Sequence, residues 1–268
     1  MITFPNAKIN LGLRIIRKRP DGFHNLQSCF YPIGWSDVLE IIPADATAFS
    51  SSGLPIPGAA ETNLCIRAYN LLKADYDLPP VHVHLHKLIP IGAGLGGGSA
   101  DASFALKLLN DRFGLGLRTE LLEGYARLLG SDCAFFIQNR PMYCVEKGDM
   151  FDEIAVDLRG YHLLLVYPNL AISTAEAYAA IRPRQPETDL YDDLLAPIDT
   201  WRTTIQNDFE ASLFPNYPVL AAIKQQMYAE GAIYASMSGS GSTVYGIFDA
   251  PVICPNQFSD YSVWQGKL

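Results

Sequence analysis

Paired cysteines, long apolar runs and an excess of basic charge are all missing from this chain of 268 residues. The five cysteines, Cys29, Cys65, Cys133, Cys144 and Cys254, are odd in number, widely spaced and free of any Cys-x-x-Cys pair, so no disulfide framework is expected and reduced thiols fit best. No apolar stretch approaches the ~18 to 20 residues that span a bilayer, which excludes a membrane helix. Lys and Arg total 20 against 28 for Asp and Glu, a formal charge of −8, the wrong sign for gripping a nucleic acid backbone. The opening MITFPNAKINLGLR lacks a basic head, an apolar core and a small-residue cleavage site, so no secretory signal and a cytoplasmic protein are expected. Internal repeats are also missing. What is present is a chain with 49% hydrophobic and 18% charged residues, long enough to bury roughly 70 to 75% of its unfolded surface as one large or two fused domains.

Periodicity predicts a β-rich start: strands over 1–16, Phe23 to Ile33 and Val38 to Ile42, then a surface loop from Ser50 to Ala60. A helix is expected over Asn63 to Lys73, and the strict alternation of Val81 to Lys87 predicts another strand. Ala100 to Asn110 has helical spacing, Thr119 is placed as the N-cap of a helix ending at Leu129, and Gly130 as its stop. Strands are expected at Met142, Tyr161 to Tyr167, Ile233 to Met237 and Thr243 to Phe248. The proline-punctuated stretch 183–197 is expected to be a mobile connection, with a helix near Pro218 to Glu230 beyond it.

The chemistry is concentrated where a strand meets a helix. Pro90-Ile91-Gly92-Ala93-Gly94-Leu95-Gly96-Gly97-Gly98-Ser99 has five glycines in the seven positions from 92 to 98, so the backbone can take positive φ and lie against a ligand with no Cβ in the way. A helix starting directly behind it offers free amides and a positive end to a phosphate, and Ser99 adds a hydroxyl. Gly92, Gly94 and Gly97 satisfy G-x-G-x-x-G, yet no second strand with a terminal acid follows, as a dinucleotide fold requires. Gly98 stands where a P-loop needs lysine, and neither His-Arg-Asp nor Asp-Phe-Gly of a protein kinase occurs. His82, His84 and His86 alternate on one strand face; without a Cys or carboxylate of matching spacing, a polar face is expected rather than a metal site. The Arg14, Arg17, Lys18, Arg19 cluster fits a solvated turn.

The glycine segment resembles the phosphate-binding motif of the galactokinase, homoserine kinase, mevalonate kinase and phosphomevalonate kinase superfamily. Pro5-Asn6-Ala7-Lys8-Ile9-Asn10-Leu11, Gly130-Ser131-Asp132 and Met237-Ser238-Gly239-Ser240-Gly241-Ser242 agree in order and spacing over nearly the whole chain. Arg19-Pro20-Asp21-Gly22-Phe23-His24 is similar to one branch in particular, whose acceptor is a cytidine-diphosphate-linked methylerythritol of non-mevalonate isoprenoid synthesis. The resemblance implies a two-domain α/β (α+β) fold, with an N-terminal domain like the second domain of a small-subunit ribosomal protein and a ferredoxin-like C-terminal domain. The expected division is 1–155 for ATP binding and catalysis and 156–268 for substrate.

By the same resemblance ATP and Mg²⁺ are the cofactors, with no metal ligand assigned, and the partners are a small-molecule substrate and ATP; a monomer or homodimer is expected. Asp132 matches the base that accepts the hydroxyl proton, and Lys8 the group that holds hydroxyl and carboxylate in register. Asn10 matches a substrate-orienting position. Asn63 and Lys87 fall near the nucleotide base, though Asn63 could equally be a helix N-cap. Pro90, Gly92, Gly94, Leu95, Gly96, Gly97, Gly98 and Ser99 form the phosphate turn. Phe23, His24 and Tyr178 match a cage for cytosine, and Gly239 lies on a turn beside the catalytic pair. Two positions depart from the family pattern. Ala134 replaces a proline, loosening a backbone restraint, and Phe23 replaces a tyrosine, losing a hydroxyl but keeping a stacking face. A kinase for another small alcohol, mevalonate or homoserine, and a non-catalytic ligand-binding protein on the same scaffold are the alternatives.

Overall fold

The computed structural model describes residues 1–179 and 181–268. The chain begins with five strands, β1 (Ile2–Thr3), β2 (Asn6–Lys18), β3 (His24–Ser36), β4 (Val38–Pro43) and β5 (Ala48–Gly53). Then come α1 (Leu64–Asp75), β6 (Val81–Lys87), α2 (Gly97–Phe113), α3 (Thr119–Leu129) and α4 (Cys133–Gln138). β7 (Met142–Val145), β8 (Met150–Glu153) and β9 (His162–Tyr167) precede the helices α5 (Thr174–Ala179), α6 (Leu190–Leu195), α7 (Trp201–Thr204), α8 (Asp208–Leu213) and α9 (Pro218–Ala229). β10 (Tyr234–Met237), β11 (Val244–Phe248) and β12 (Ser262–Lys267) close the chain. Contacts group the residues into two compact units, one made of Met1–Ala7, Trp35–Ile91 and Gly96–Arg140, the other of Lys8–Gly34, Gly92–Leu95 and Pro141–Leu268.

The first unit is a four-stranded sheet in the order β1-β4-β6-β5 with α1 to α4. β6 alternates buried Val81, Val83, Leu85 and Lys87 with half-buried His82, His84 and His86, so one face meets the helices and the other carries the histidines. α2 buries Ala100, Ala102, Ala105, Leu106 and Leu109 completely, and its alanines let α1 approach closely. The second unit holds an antiparallel sheet ordered β10-β11-β9-β12, with α9 packed on β10 and β11, and a second sheet ordered β2-β3-β7-β8. All of Val244 to Phe248 and nearly all of His162 to Tyr167 are buried, which explains why both strands read as continuous apolar runs.

Three expectations need correction. The loop over Ser50 to Ala60 begins as strand β5, parallel to β6, because Ser50 and Ser52 hydrogen-bond the histidines opposite: Ser50 Oγ lies 2.9 Å from His82 Nε2 and 2.8 Å from His84 Nδ1, and Ser52 Oγ 3.0 Å from His84 Nε2 and 2.9 Å from His86 Nδ1. The connection 183–197 contains α6, whose N-cap Asp189 accepts from Tyr191 N at 2.9 Å. Thr119 is the first residue of α3, and Arg118 occupies the N-cap without a side-chain bond. All five cysteines are thiols, and no helix of the described residues is long and apolar enough to cross a membrane.

The packing of α2 makes a direct prediction. Leu109→Ala removes a fully buried side chain from a helix enclosed by its neighbours. It should destabilise the fold by about 2 to 5 kcal/mol in chemical denaturation, and a loss below about 1 kcal/mol would show that this core collapses onto the cavity.

Candidate active site

In the first unit the approach to the glycine turn is fixed by a buried charge cluster. Asp37 Oδ1 accepts from Leu88 N at 2.6 Å and Ile89 N at 2.8 Å, and its Oδ2 accepts from Lys87 Nζ at 2.5 Å. Lys87 Nζ also donates to Asp101 Oδ2 at 2.7 Å. The three side chains are 3%, 0% and 5% exposed for Lys87, Asp37 and Asp101. Burial works against the Lys87 ammonium, but the two carboxylates outweigh it and raise its pKa. Burial pushes the Asp101 carboxyl up to about 7, against the pull of Lys87. The ammonium expected near the nucleotide base is therefore engaged by two carboxylates beneath the turn.

The helix behind the turn starts with its amides open. Gly96, at φ +71°, is the N-cap of α2 without a side-chain bond, and the first turn has no acidic residue to occupy its positive end. A Cβ on Gly97 would lie 2.9 Å from Ile89 Cγ2 and 3.1 Å from Lys87 Nζ, so only glycine lets the helix sit this close to β6 and its extension. Gly98 is exposed and Ser99 half-buried. Ser103 Oγ shares its proton between Ser99 O at 2.9 Å and Cys133 O at 2.6 Å, tying the start of α2 to the turn that carries Asp132. Asp132 sits at the N-cap of α4 and accepts from Ser131 Oγ at 3.3 Å. Asn63 caps α1, accepting from Cys65 N at 2.9 Å.

In the second unit Lys8 and Asn10 share one face of β2, both buried. Lys8 Nζ donates to Asn10 Oδ1 at 2.6 Å and Gly94 O at 3.2 Å, and stands 4.8 Å above the Phe30 ring. Asn10 Nδ2 donates to Ser28 Oγ at 2.8 Å, and Ser28 passes its own proton to Gly12 O at 2.7 Å. Because Lys8 brings only donors, this chain fixes the Asn10 amide with its oxygen toward the ammonium. Ser238 Oγ accepts from Asn10 N at 3.3 Å and donates to Gly94 O at 2.9 Å. Gly94, at φ +78°, has no room for a side chain: a Cβ would lie 2.1 Å from Ser238 O. Gly92 is at φ +68°, and Leu95 O accepts from Lys8 N at 3.0 Å. Lys8, Asn10, Gly94 and Gly239 are thus one neighbourhood, with Gly239's missing Cβ 3.3 Å from Asn10 Oδ1.

The aromatic set is arranged differently from the simplest picture of a cage. His24 stacks on Tyr178 with centroids 4.9 Å apart and 25° between planes, and Tyr178 meets Phe209 edge-on at 4.9 Å. Phe23 is 58% exposed with Lys147 Nζ 5.3 Å above its ring. Burial, with Lys18 nearby, lowers the His24 pKa, favouring a neutral ring able both to donate and to accept.

Ser28, Asp37, Asp101, Asn207 and Glu210 escaped the sequence reading. Asn207 Nδ2 donates to Met237 O at 2.7 Å and Gly239 O at 2.8 Å, while Glu210 Oε1 accepts from Ser236 Oγ at 3.0 Å and Met237 N at 2.8 Å, so together they hold the 237–242 turn. Ser28, Asp37, Asp101 and Glu210 are lone polar residues whose partners are distant in sequence, and no local pattern marks them; Asn207 also caps α8, accepting from Phe209 N at 3.0 Å, a local signal that marks a helix start but not its hold on the turn.

A lysine held over an aromatic ring, a glycine-rich turn and an uncapped helix behind it are the parts of a small-molecule kinase, and two family profiles match the chain. One, described as GHMP kinases N terminal domain, covers residues 63–140, and the other, GHMP kinases C terminal, covers 194–253. The 4-diphosphocytidyl-2-C-methyl-D-erythritol kinase of Parabacteroides distasonis is 49% identical over the whole of both chains, and that of Cytophaga hutchinsonii 54% identical over 93% of each. A crystal structure of 4-(cytidine 5'-diphospho)-2C-methyl-D-erythritol kinase aligns with a TM-score of 0.82 at 29% identity, over 99% of this chain and 98% of that one. Methanococcus jannaschii mevalonate kinase shares the fold at 13% identity and a TM-score of 0.71, over 99% and 97%. The chain belongs to the GHMP kinases and, among them, to the 4-diphosphocytidyl-2-C-methyl-D-erythritol kinase family.

Asn207→Ala tests the support of the 237–242 turn. It leaves the buried Met237 and Gly239 carbonyls without their donor, and at about 1 to 3 kcal/mol for each unpaired group the thermal midpoint should fall by several degrees. An unchanged midpoint would mean that water replaces the amide.

Proposed function

We propose that the chain transfers the γ-phosphoryl group of ATP to the 2-hydroxyl of 4-diphosphocytidyl-2-C-methyl-D-erythritol, with no covalent enzyme intermediate. The observation that carries this reading is the uncapped, acid-free N-terminus of α2 behind a turn with Gly92, Gly94 and Gly96 all at positive φ. Free amides and a positive helix end at a glycine-rich turn suit a polyphosphate. Asp132 accepts the proton of the acceptor hydroxyl, and Lys8 holds that hydroxyl and offsets the charge that develops on the transferring group. Asn10, locked by Lys8 and Ser28, orients the acceptor. Asn63 lies toward the nucleotide base.

Mg²⁺ fits this site as a phosphate-bound ion. Mg²⁺ commonly keeps several waters and takes substrate phosphate oxygens, and the open, acid-free start of α2 suits the phosphates that would carry it. It supplies charge neutralisation at the phosphates when bound. For the cytidine ring, the His24 and Tyr178 stack offers a flat wall and a polar edge, and Phe23 offers a second face. A cytoplasmic location suits the reduced thiols.

The test is ADP release by the purified protein with Mg-ATP and a panel of alcohols. Turnover of the cytidyl substrate is expected; turnover confined to mevalonate or homoserine would overturn the assignment. Asp132→Asn should keep ATP affinity within about twofold while lowering kcat by ~10² or more, the size of effect expected from losing a general base. Near-normal kcat in that variant would remove Asp132 from the role.

A further inference from the structure

The Lys87, Asp37 and Asp101 cluster takes no part in the chemistry above, yet it places three charged groups in the interior directly behind the phosphate turn. Its charges do not cancel: one ammonium faces two carboxylates. The hydrogen bonds are also unequal. Asp37 receives three donors on its two oxygens, while Asp101 has Lys87 on Oδ2 and a buried Oδ1 with no partner. An ionised carboxylate with a bare buried oxygen is costly, and the vicinity of Asp37 disfavours it further, so a proton entering this cluster belongs on Asp101. Asp101 lies one helical turn beyond Gly97, whose Cα approaches Lys87 closely enough that a Cβ would come within 3.1 Å of Nζ.

We propose that Asp101 is a positioning and charge-setting residue for nucleotide binding: with its carboxyl neutral the cluster carries no net charge and α2 presents its full positive end to a phosphate, whereas the ionised carboxylate adds one negative charge behind the turn and weakens the grip. The charge acts through buried protein from about one helical turn behind the open end of α2, where salt screens it poorly. Other titratable groups facing the cluster do not compensate. Cys65 on α1 senses Asp101, Lys87 and Asp37, but burial holds its thiol well above the ordinary range, and burial likewise pushes Cys133 on α4 to about 11, so both are neutral near pH 7. The lysine and the two acids therefore set the local field. This inference rests on the ATP reading of the turn.

The experiment compares the Kd of Mg-ATP for the full chain and for Asp101→Asn from pH 6 to pH 9. The ratio of the two constants cancels the nucleotide's own titration. It should be near one at pH 6 and rise through a midpoint near 7 until the natural chain binds about tenfold more weakly than the variant. A ratio that does not change with pH overturns the proposal. No binding of Mg-ATP to the natural chain at any pH overturns the ATP reading instead. If Asp101→Asn does not fold, carbon-detected NMR of the Asp101 carboxyl in the natural chain gives the same answer, because linkage is reciprocal: saturating Mg-ATP must raise its titration midpoint, and an unmoved midpoint rejects the coupling.

Discussion

At Gly94 and Gly97 the backbone of the 92–98 turn passes where a side chain cannot, and much of the site follows from those two close approaches. At Gly94 the chain lies so close to Ser238 that a methyl group would overlap its carbonyl at 2.1 Å, and at Gly97 it lies against Ile89 and Lys87. Gly92, Gly94 and Gly96 alternate through positive φ, a path that side chains with a Cβ rarely follow. The first close approach puts the Gly94 carbonyl in reach of both Lys8 and Ser238, which sets the lysine's position. The second brings the open end of α2 up to the strand end held by Asp37. Glycine here serves proximity as well as flexibility, and each unit uses its own part of the turn.

Most of this was legible because it is written in local pattern. Alternation revealed β6, the glycine run announced the turn, and the Ala and Leu spacing marked α2, which the structure extends three residues toward the turn at its start. Asn63 was read both as a cap and as a nucleotide neighbour, and its bond to Cys65 N establishes the first. β5 went unread because Ser50-Ser51-Ser52 has little strand character of its own; histidine rings on the neighbouring strand hold it. Asp37 and Asp101 went unread for a different reason. They lie 50 and 14 positions from Lys87, so neither helical nor strand periodicity connects them to it. A buried ion cluster leaves no signature in one sequence, since each member alone looks like a surface charge.

Lys87 shows how the same residue can satisfy a motif and still serve a different purpose. Its position at the end of β6, just ahead of the glycines, matched a nucleotide neighbour, and its ammonium is engaged by Asp37 and Asp101. Replacing Lys87 or Asp37 would strand a buried charge, whereas neutralising Asp101 leaves Lys87 and Asp37 as a balanced pair. That coupling ties residues of a loop, a strand and a helix into one electrostatic unit under the turn.

The two positions expected to depart from the family pattern, Ala134 and Phe23, are each held by local contacts. Proline two residues after Asp132 would hold the backbone at the start of α4; here Ala134 is buried, and the turn is closed instead by Cys133 N donating to Gly130 O at 3.2 Å and by Ser103 reaching Cys133 O. Of these two bonds, the one from Ser103 depends on α2 being in place. Phe23 lacks a hydroxyl, but its face is already engaged by the Lys147 ammonium, and Asp21 Oδ1 accepts from Phe23 N at 3.1 Å. The residue is oriented through its backbone and its ring face, neither of which needs the missing oxygen.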